Sequence, residues 1–151
     1  MVRGMTLTAV LAVLLAAVPA FAAEPIKIGA VFSATGPASF LGEPERNTLE
    51  MEAAKINAAG GVLGRPIELV VYDDETDVNK CVLAVDKLLK KDKVAVVIGP
   101  TTSGNTLAIM GKFPAAKVPL VSCAAAEKIT TPVSPWRSEE RRVGKECRSR
   151  W

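Results

Sequence analysis

Four short apolar runs, each bounded by polar or turn-forming residues, recur along the middle of the chain. Runs of this length between turn signals predict buried β-strands. The predicted strands are residues 26–32, 66–72, 94–98 and 118–122. The third run is apolar throughout, as expected for a strand whose two faces are both covered.

Apolar residues at helical spacing lie between these runs and predict three helices. The first has Pro44 in its first turn and ends at Gly60 and Gly61; the second is capped by Asp77; the third ends before Pro114. Their apolar positions are Leu49, Ala53 and Ile56 in the first helix, Val78, Val82, Val85 and Leu89 in the second, and Leu107, Met110 and Phe113 in the third.

The order β-α-β-α-β-α-β predicts an α/β fold built on a doubly wound parallel sheet with right-handed crossovers. In such sheets ligands bind outside the carboxyl ends of the strands. The loops at that edge are residues 33–41, 73–77, 99–103 and 123–127. We therefore look for a binding site among these four loops.

The first 22 residues have the pattern of a secretory signal peptide, because one Arg precedes an apolar run and Ala20 and Ala22 supply small residues at the cleavage site. The apolar run is shorter than the roughly 20 residues that span a bilayer, and Pro19 follows it, so a transmembrane helix is disfavoured. We predict cleavage after Ala22 and export to the periplasm.

The last 15 residues, RSEERRVGKECRSRW (137–151), are charge-dense and have no apolar period. They are similar to the conceptual translation of a sequencing adapter, although an ordinary solvated extension would share the charge density. We predict that this tail is not native and that the natural protein continues past Trp136. Residues 23–136 are therefore the part of the chain that we expect to determine the fold.

The net charge of +3 lies at the two ends of the chain, since residues 23–136 hold 12 basic and 13 acidic side chains. A near-neutral body with few aromatic residues has no electrostatic footprint for a phosphate backbone. Composition therefore argues against nucleic-acid binding.

The cysteine and histidine content limits the disulfide and metal-binding chemistry available to the chain. Cys147 belongs to the tail, so Cys81 and Cys123 form an even pair in an exported chain. A disulfide bridge between them is conceivable, but two buried thiols are the interpretation we prefer. The chain has no His and no paired Cys spacing, which leaves a zinc site unsupported.

The segment GPTTSGNT (99–106) departs from the phosphate-binding loop GxxxxGK[ST], because Asn105 stands where the Lys is required. Nucleotide binding is therefore not predicted. A helix start among Thr101, Thr102 and Ser103 hydroxyls suits a small anion such as a carboxylate, but one hydroxyl could equally cap the helix. The sequence leaves both interpretations open.

Two other chemistries are rejected. The acidic run 73–79 spaces oxygens like a calcium loop, but Val78 replaces the turn Gly and Ala84 the closing Glu, so we expect a strand end that leads into a helix cap. No His base or GxSxG motif is present, and Cys123 has no neighbouring His. The sequence shows no catalytic constellation and implies no cofactor.

Four segments together resemble the periplasmic branched-chain amino-acid-binding proteins of ABC importers. They are IKIGAVFSATGPASFLGE (26–43), INAAGGVLGRPIELVVYDDETD (56–77), VAVVIGPTTSG (94–104) and VPLVSCAAA (118–126). The resemblance implies a type I periplasmic binding fold with two lobes, of which residues 23–136 supply part of lobe one. It also implies a non-enzymatic receptor, monomeric when complete, that delivers its ligand to an inner-membrane permease.

The resemblance also assigns site residues. Ser103 matches the serine that holds the ligand α-carboxylate, and Thr102 and Gly104 flank it. Ala124 matches a backbone carbonyl that takes the ligand ammonium, and Leu41 matches a side-chain contact. Ala126 stands where several members have a Thr, which opens the ligand class to aromatic or carboxylic acids.

Two alternatives to an importer component remain from the sequence. The same fold occurs in ligand-sensing domains of signalling proteins, since fold does not determine function. A doubly wound cytosolic enzyme is disfavoured, because the chain begins with a signal-peptide pattern, lacks the Lys of a phosphate-binding loop and contains no His. For the 151-residue chain we expect weak or no amino-acid binding and exposed apolar surface.

Overall fold

The computed structural model describes residues 24–139. The predicted signal peptide (1–22) and residues 140–151 of the predicted tail lie outside the described residues. The strands are β1 (Ile26–Phe32), β2 (Ile67–Asp73), β3 (Val96–Ile98), β4 (Leu120–Ser122) and β5 (Arg137–Glu139). The helices are α1 (Ser39–Ala58), α2 (Val78–Lys87, continued by a π-helical turn, Leu88–Asp92), α3 (Ser103–Ile109) and α4 (Lys112–Ala116), and a 3-10 turn follows at Glu127–Ile129.

The five strands form one parallel sheet in the order β2-β1-β3-β4-β5. Ile28 is paired with Leu69 on β2 and with Val96 on β3, which places β1 between these two strands. The parallel α/β architecture predicted from the alternation of elements is confirmed. The reversal of strand order beside β1 puts the ends of β1 and β3 at the position where such sheets bind ligands.

Helices cover both faces of the sheet. Val31, Val97 and Leu120 point to one face, where they pack with Leu88 and Phe113 in the main core. Neighbouring strand residues point the opposite way, so Phe32 and Ile98 face α1. α1 packs mainly on β1 and β2, and Val121 on β4 is 42% exposed.

The first helix begins at Ser39, earlier than the predicted start near Pro44. The main-chain N–H of Ser39 donates to Gly36 O (3.1 Å), and the next turn already has helical bonds to Ala38. Pro44 therefore lies inside α1 rather than in its first turn. Gly42 makes this start possible, because its missing side chain lets the helix rest directly on the Ser33 backbone.

The apolar stripe predicted for the second helix is confirmed in part. Val85 is buried and Val82 and Leu89 pack against the core, but Val78 is 43% exposed. Cys81 and Leu88, which were not predicted, are buried without measurable exposure. Val78 and Cys81 both lie at helical spacing from Val85, and only the position of the sheet selects between them.

The remaining differences concern boundaries and one strand. The third predicted helix is two helices, and Pro114 lies within α4 rather than after it, at the third position, where no intrahelical N–H bond is required. Leu107 is 36% exposed, so Ile109 takes the inward position expected of it. β5 was not predicted, because its residues begin the tail (137–151) that we predict is not native; Leu120 N donates to Trp136 O (2.9 Å) at its start.

Candidate functional site

The loops that follow β1 and β3 meet at the carboxyl edge of the sheet, as expected for a parallel sheet. The main-chain N–H of Ser33 donates to Thr101 Oγ1 at 3.0 Å. The Thr101 hydroxyl in turn donates to Glu45 Oε2 on α1 at 2.6 Å. The Thr101 hydroxyl therefore links three segments, namely the end of β1, the loop after β3 and helix α1.

The chain turns sharply between β3 and α3. Gly99 has φ +95°, and a Cβ there would meet the main-chain oxygen of Val31. Only glycine accommodates both the left-handed backbone and this close approach. The turn brings the start of α3 to the edge of the sheet beside β1.

Thr102 caps α3, since its Oγ1 accepts from the Asn105 N–H (3.4 Å). The first helical bond within α3 runs from Thr106 N to Thr102 O (3.0 Å). Ser103 and Gly104 occupy the first two helical positions, where main-chain N–H groups have no intrahelical acceptor. The open space beside Gly104 and the half-buried Ser103 leave these groups accessible.

The capping interpretation of the GPTTSGNT segment is confirmed for Thr102, and carboxylate binding stays a prediction. Thr101 and Thr102 use their hydroxyls within the protein, so they serve as structural and capping groups. In the part of the chain that the structure describes, the Ser103 hydroxyl has no hydrogen-bond partner. Of these three hydroxyls, the one available to an external hydrogen-bond donor or acceptor is therefore that of Ser103.

A buried carboxylate lies directly beneath this helix start. Asp74 has no exposed surface, and its Oδ1 accepts from Ser33 Oγ (2.7 Å) and Thr76 N (2.9 Å). Its Oδ2 accepts from Asn105 Nδ2 at 2.7 Å. Burial, reinforced by a hydrogen bond to Asp74, raises the pKa of the Cys81 thiol to about 12. We name Ser33, Asp74, Thr76 and Asn105 the Asp74 cluster.

The sequence pattern does not reveal the Asp74 cluster or the role of Glu45. Asp74 lies in the acidic run that we expect to be a strand end leading into a helix cap, and Asn105 stands out only as the residue that replaces a Lys. Polar residues at the ends of neighbouring parallel strands were a usable signal, because those ends share one edge of the sheet. The pairing itself spans 41 positions between Ser33 and Asp74, which no local pattern reveals.

Asp73, next to the buried Asp74, has a different environment. It is exposed, and its carboxylate accepts from the Thr35 hydroxyl (2.7 Å) and from the Glu75 N–H (2.8 Å). Burial opposes ionisation of Asp73, but these hydrogen bonds outweigh it and hold the pKa below its usual value. Asp73 therefore stays ionised and fastens the loop after β1 to the end of β2.

Ala124 and Ala126, the two alanines predicted at the site, lie in the loop after β4. The Ser122 hydroxyl links this loop to α3. Ser122 Oγ is 3.1 Å from Thr106 Oγ1 and accepts from Ala124 N at 3.1 Å. Ala124 is buried, whereas Ala126 is half-buried and its carbonyl accepts from Ile129 N (2.9 Å). The structure thus joins the 123–126 loop to the helix that carries Ser103.

Leu41 lies in the first turn of α1 at the same edge and is 46% exposed. Its neighbour Gly42 rests on Ser33, which links Leu41 to the loop after β1. Within the described residues, no hydrogen bond joins Leu41 to Ser103 or Ala124. The predicted residues therefore surround one edge of the sheet as separate groups.

An apolar cleft of about 430 Å³ lies between α1 and the sheet. It is lined by Phe32, Pro44, Glu45, Thr48, Leu49, Glu52, Ile98 and Cys123. None of the six predicted site residues is among its lining residues. Cys123 is half-buried here, not fully buried as expected, and it is not bridged to Cys81.

Among residues 24–139, no helix combines the length and the apolar character that a membrane crossing requires. Within the same range, His, Cys, Asp and Glu side chains do not gather in threes or more where they could hold a metal ion.

Comparison with known proteins gives consistent results. A sequence profile described as periplasmic binding protein matches residues 25–137. The Leu/Ile/Val-binding protein of Escherichia coli (strain K12) is 36% identical over 84 residues, covering 56% of this chain and 23% of that protein. The Leu/Ile/Val-binding protein homolog 7 of Brucella suis is 35% identical over 122 residues, covering 80% of this chain and 30% of the homolog.

Solved structures agree with the sequence comparison. The branched-chain amino acid transporter substrate-binding protein of Streptococcus pneumoniae, solved with isoleucine, superposes with a TM-score of 0.73 at 32% identity. The match covers 76% of this chain and 33% of that one. A type 1 periplasmic binding protein of Bordetella pertussis gives a TM-score of 0.72 at 28% identity, covering 76% and 33%. The chain spans about a third of these structures.

Proposed function

This chain belongs to the periplasmic binding protein family, and we propose that it is part of the extracytoplasmic solute-binding component of an ABC importer. The ligand is a branched-chain amino acid or a related amino acid or carboxylate. This class is supported by the relatives named for leucine, isoleucine and valine and by the neighbour solved with isoleucine. The protein binds its ligand without transforming it.

The observation that carries the proposal is the start of α3. The main-chain N–H groups of Ser103 and Gly104 lack intrahelical acceptors, and the Ser103 hydroxyl has no partner among the described residues. These donors, together with the positive end of the helix dipole, suit an α-carboxylate. Thr102 orients them by capping the helix.

The other predicted residues complete one half of the site. The Ala124 carbonyl accepts from the ligand ammonium, and the exposed side chain of Leu41 contacts the ligand side chain. Ala126 contributes no hydroxyl, and its carbonyl is already bonded to Ile129 N. One polar anchor is therefore absent, which widens the ligand class to aromatic or carboxylic acids.

We further propose that residues 23–136 are the first part of lobe one in a longer, monomeric protein. Residues 1–22 are a signal peptide cleaved after Ala22, which exports the protein to the periplasm, and residues 137–151 are a non-native tail. Exposed apolar residues at the surface, such as Val121 and Val133, support a missing remainder. The complete receptor delivers its ligand to an inner-membrane permease.

A single lobe encloses only one side of a ligand, so we expect the 151-residue chain to bind amino acids weakly or not at all. Tight binding in hinged receptors comes from closure around a desolvated ligand. Isothermal titration calorimetry of this chain with L-leucine and L-isoleucine checks this expectation. Micromolar affinity would contradict it.

The test of the function begins with sequencing of the gene across codon 136 from genomic DNA. If the reading frame continues, the complete product is titrated with L-leucine, L-isoleucine, L-valine and aromatic acids. Ser103→Ala should weaken binding about 10-fold to 100-fold, because it removes a hydrogen bond to a charged group. Asn79→Ala is the matched control, since Asn79 is an exposed polar residue in the first turn of α2.

Several outcomes would count against the proposal. A stop codon after an encoded tail would refute the receptor assignment for this chain. Equal affinity of the wild-type and Ser103→Ala products would refute the carboxylate role of Ser103. A signalling domain in the recovered sequence would favour a ligand sensor over an importer component.

A further inference from the structure

The Asp74 cluster joins three segments of the chain through one buried carboxylate. Ser33 comes from the end of β1, Thr76 from the loop after β2, and Asn105 from the first turn of α3. Asn105 is 2% exposed, so its amide has no access to solvent as an alternative partner. A buried carboxylate requires such donors, because an unsatisfied charge is expensive away from water.

Asn105 directly follows the two residues proposed to hold the ligand carboxylate. Its backbone N–H bonds to Thr102 and its side chain to Asp74, so it is held at both ends. The first turn of α3 therefore cannot move from the end of β1 unless Asp74 loses a donor. The position of the Ser103 and Gly104 N–H groups depends on that bond.

We propose that Asp74 is a positioning residue for the ligand-binding turn: through Asn105 it sets where Ser103 and Gly104 lie relative to β1. That the turn binds a ligand rests on the proposed function, whereas the experiments that test the position of the turn require no ligand. Asp74 is buried beneath the turn and does not itself contact the ligand. The link from Thr101 to Glu45 ties the preceding residues to α1 on the other face of the sheet.

The first experiment uses the 151-residue chain labelled with ¹⁵N and studied by NMR without ligand. Asp74→Ala removes the acceptor of the Asn105 amide from a position 31 residues away, so it leaves the sequence neighbours of Ser103 and Gly104 unchanged. We expect the Ser103 and Gly104 amide resonances to shift, and the Thr106 amide to exchange with solvent about tenfold faster.

The matched control is Asp73→Ala, which removes the adjacent carboxylate together with its bonds to Thr35 and Glu75. A purely structural role predicts that both variants melt earlier and that neither displaces the turn selectively. The positioning role predicts that only Asp74→Ala moves the Ser103 and Gly104 resonances. Unchanged resonances in Asp74→Ala would overturn the proposal.

The second experiment exchanges the two side chains. Asn105→Asp sets two carboxylates against each other, and we expect a lower melting temperature and displaced Ser103 and Gly104 resonances at pH 7. The double variant Asp74→Asn/Asn105→Asp restores an amide-to-carboxylate bond with reversed polarity. It should recover most of the loss.

Each outcome of the side-chain exchange either supports or refutes the pairing of Asp74 with Asn105. If Asn105→Asp is unfolded at pH 7, a folded spectrum of the double variant is itself the rescue. A double variant no better than Asn105→Asp, folded or not, refutes the pairing. Because no amino acid is present, failure of the receptor to bind amino acids would refute the proposed function and leave this result standing.

Discussion

Replacing Gly42 by Ala should destabilise the protein, although the same change usually stabilises a helix. Gly42 lies inside α1, where Ala is favoured over Gly by about 0.5–1 kcal/mol. A Cβ at this position would collide with the main-chain N, C and O atoms of Ser33. These are backbone atoms of β1's end, so they cannot move aside as a flexible side chain could.

The expected size follows from these two opposing effects. Overpacking in a well-packed region costs about 1–3 kcal/mol. A clash with backbone atoms belongs to the upper half of that range, about 2–3 kcal/mol, so after the propensity gain is subtracted Gly42→Ala should lower the free energy of unfolding by about 1–2.5 kcal/mol. α1 would also shift away from Ser33, and Leu41 would move with it.

Gly104→Ala is the matched control, because Gly104 lies in α3 with no heavy atom within 4 Å of an added Cβ. There the helix-propensity gain is not offset, so stability should stay level or rise by up to about 1 kcal/mol. Urea unfolding followed by circular dichroism measures both variants against the wild type. If Gly42→Ala is as stable as the wild type, the close contact between α1 and Ser33 is wrong.

Three further predictions concern the core, the cap and a buried thiol. Leu88→Ala should cost about 2–5 kcal/mol, whereas Leu83→Ala, 68% exposed on α2, should cost under about 1 kcal/mol; equal losses in urea unfolding would contradict the buried stripe. Thr102→Ala should cost about 1 kcal/mol of stability, and Thr102→Asp should largely retain it, as measured by thermal melting. The pKa of Cys81 rises on folding from 9.0 to about 12, so the stabilisation it provides is complete below about pH 9 and is lost as the pH rises towards 12. Relative to Cys81→Ala, wild-type stability should fall by about 1.4 kcal/mol per pH unit in that window, and a constant difference would refute the burial of the thiol.

The Asp74 cluster connects these stability measurements to the proposed function. Asn105 is bonded both to the cap at Thr102 and to the carboxylate of Asp74. Loss of either bond frees the turn that holds the proposed carboxylate donors. Variants of Thr102 and Asn105 should therefore be compared for the position of Ser103 as well as for stability.

Local pattern alone was sufficient for the architecture. β1 has the predicted bounds, the parallel α/β class is confirmed, and Asp77 caps α2 through a bond from Lys80 N (2.9 Å). These features depend on neighbours within a few residues, through strand alternation, helical spacing and capping, so the sequence expresses them directly. The sequence also located the loops at the carboxyl edge, because topology follows from the order of elements.

Tertiary structure decided which of several locally equivalent arrangements occurs. α2 could have buried Val78 or Cys81 at the same helical spacing, and the position of the sheet selected Cys81. Asp74 finds Asn105 31 positions away, and β5 adds to the sheet through backbone groups that carry no side-chain signal. Burial and pairing depend on surfaces brought together from distant parts of the chain, and these surfaces exist only once the sheet has formed.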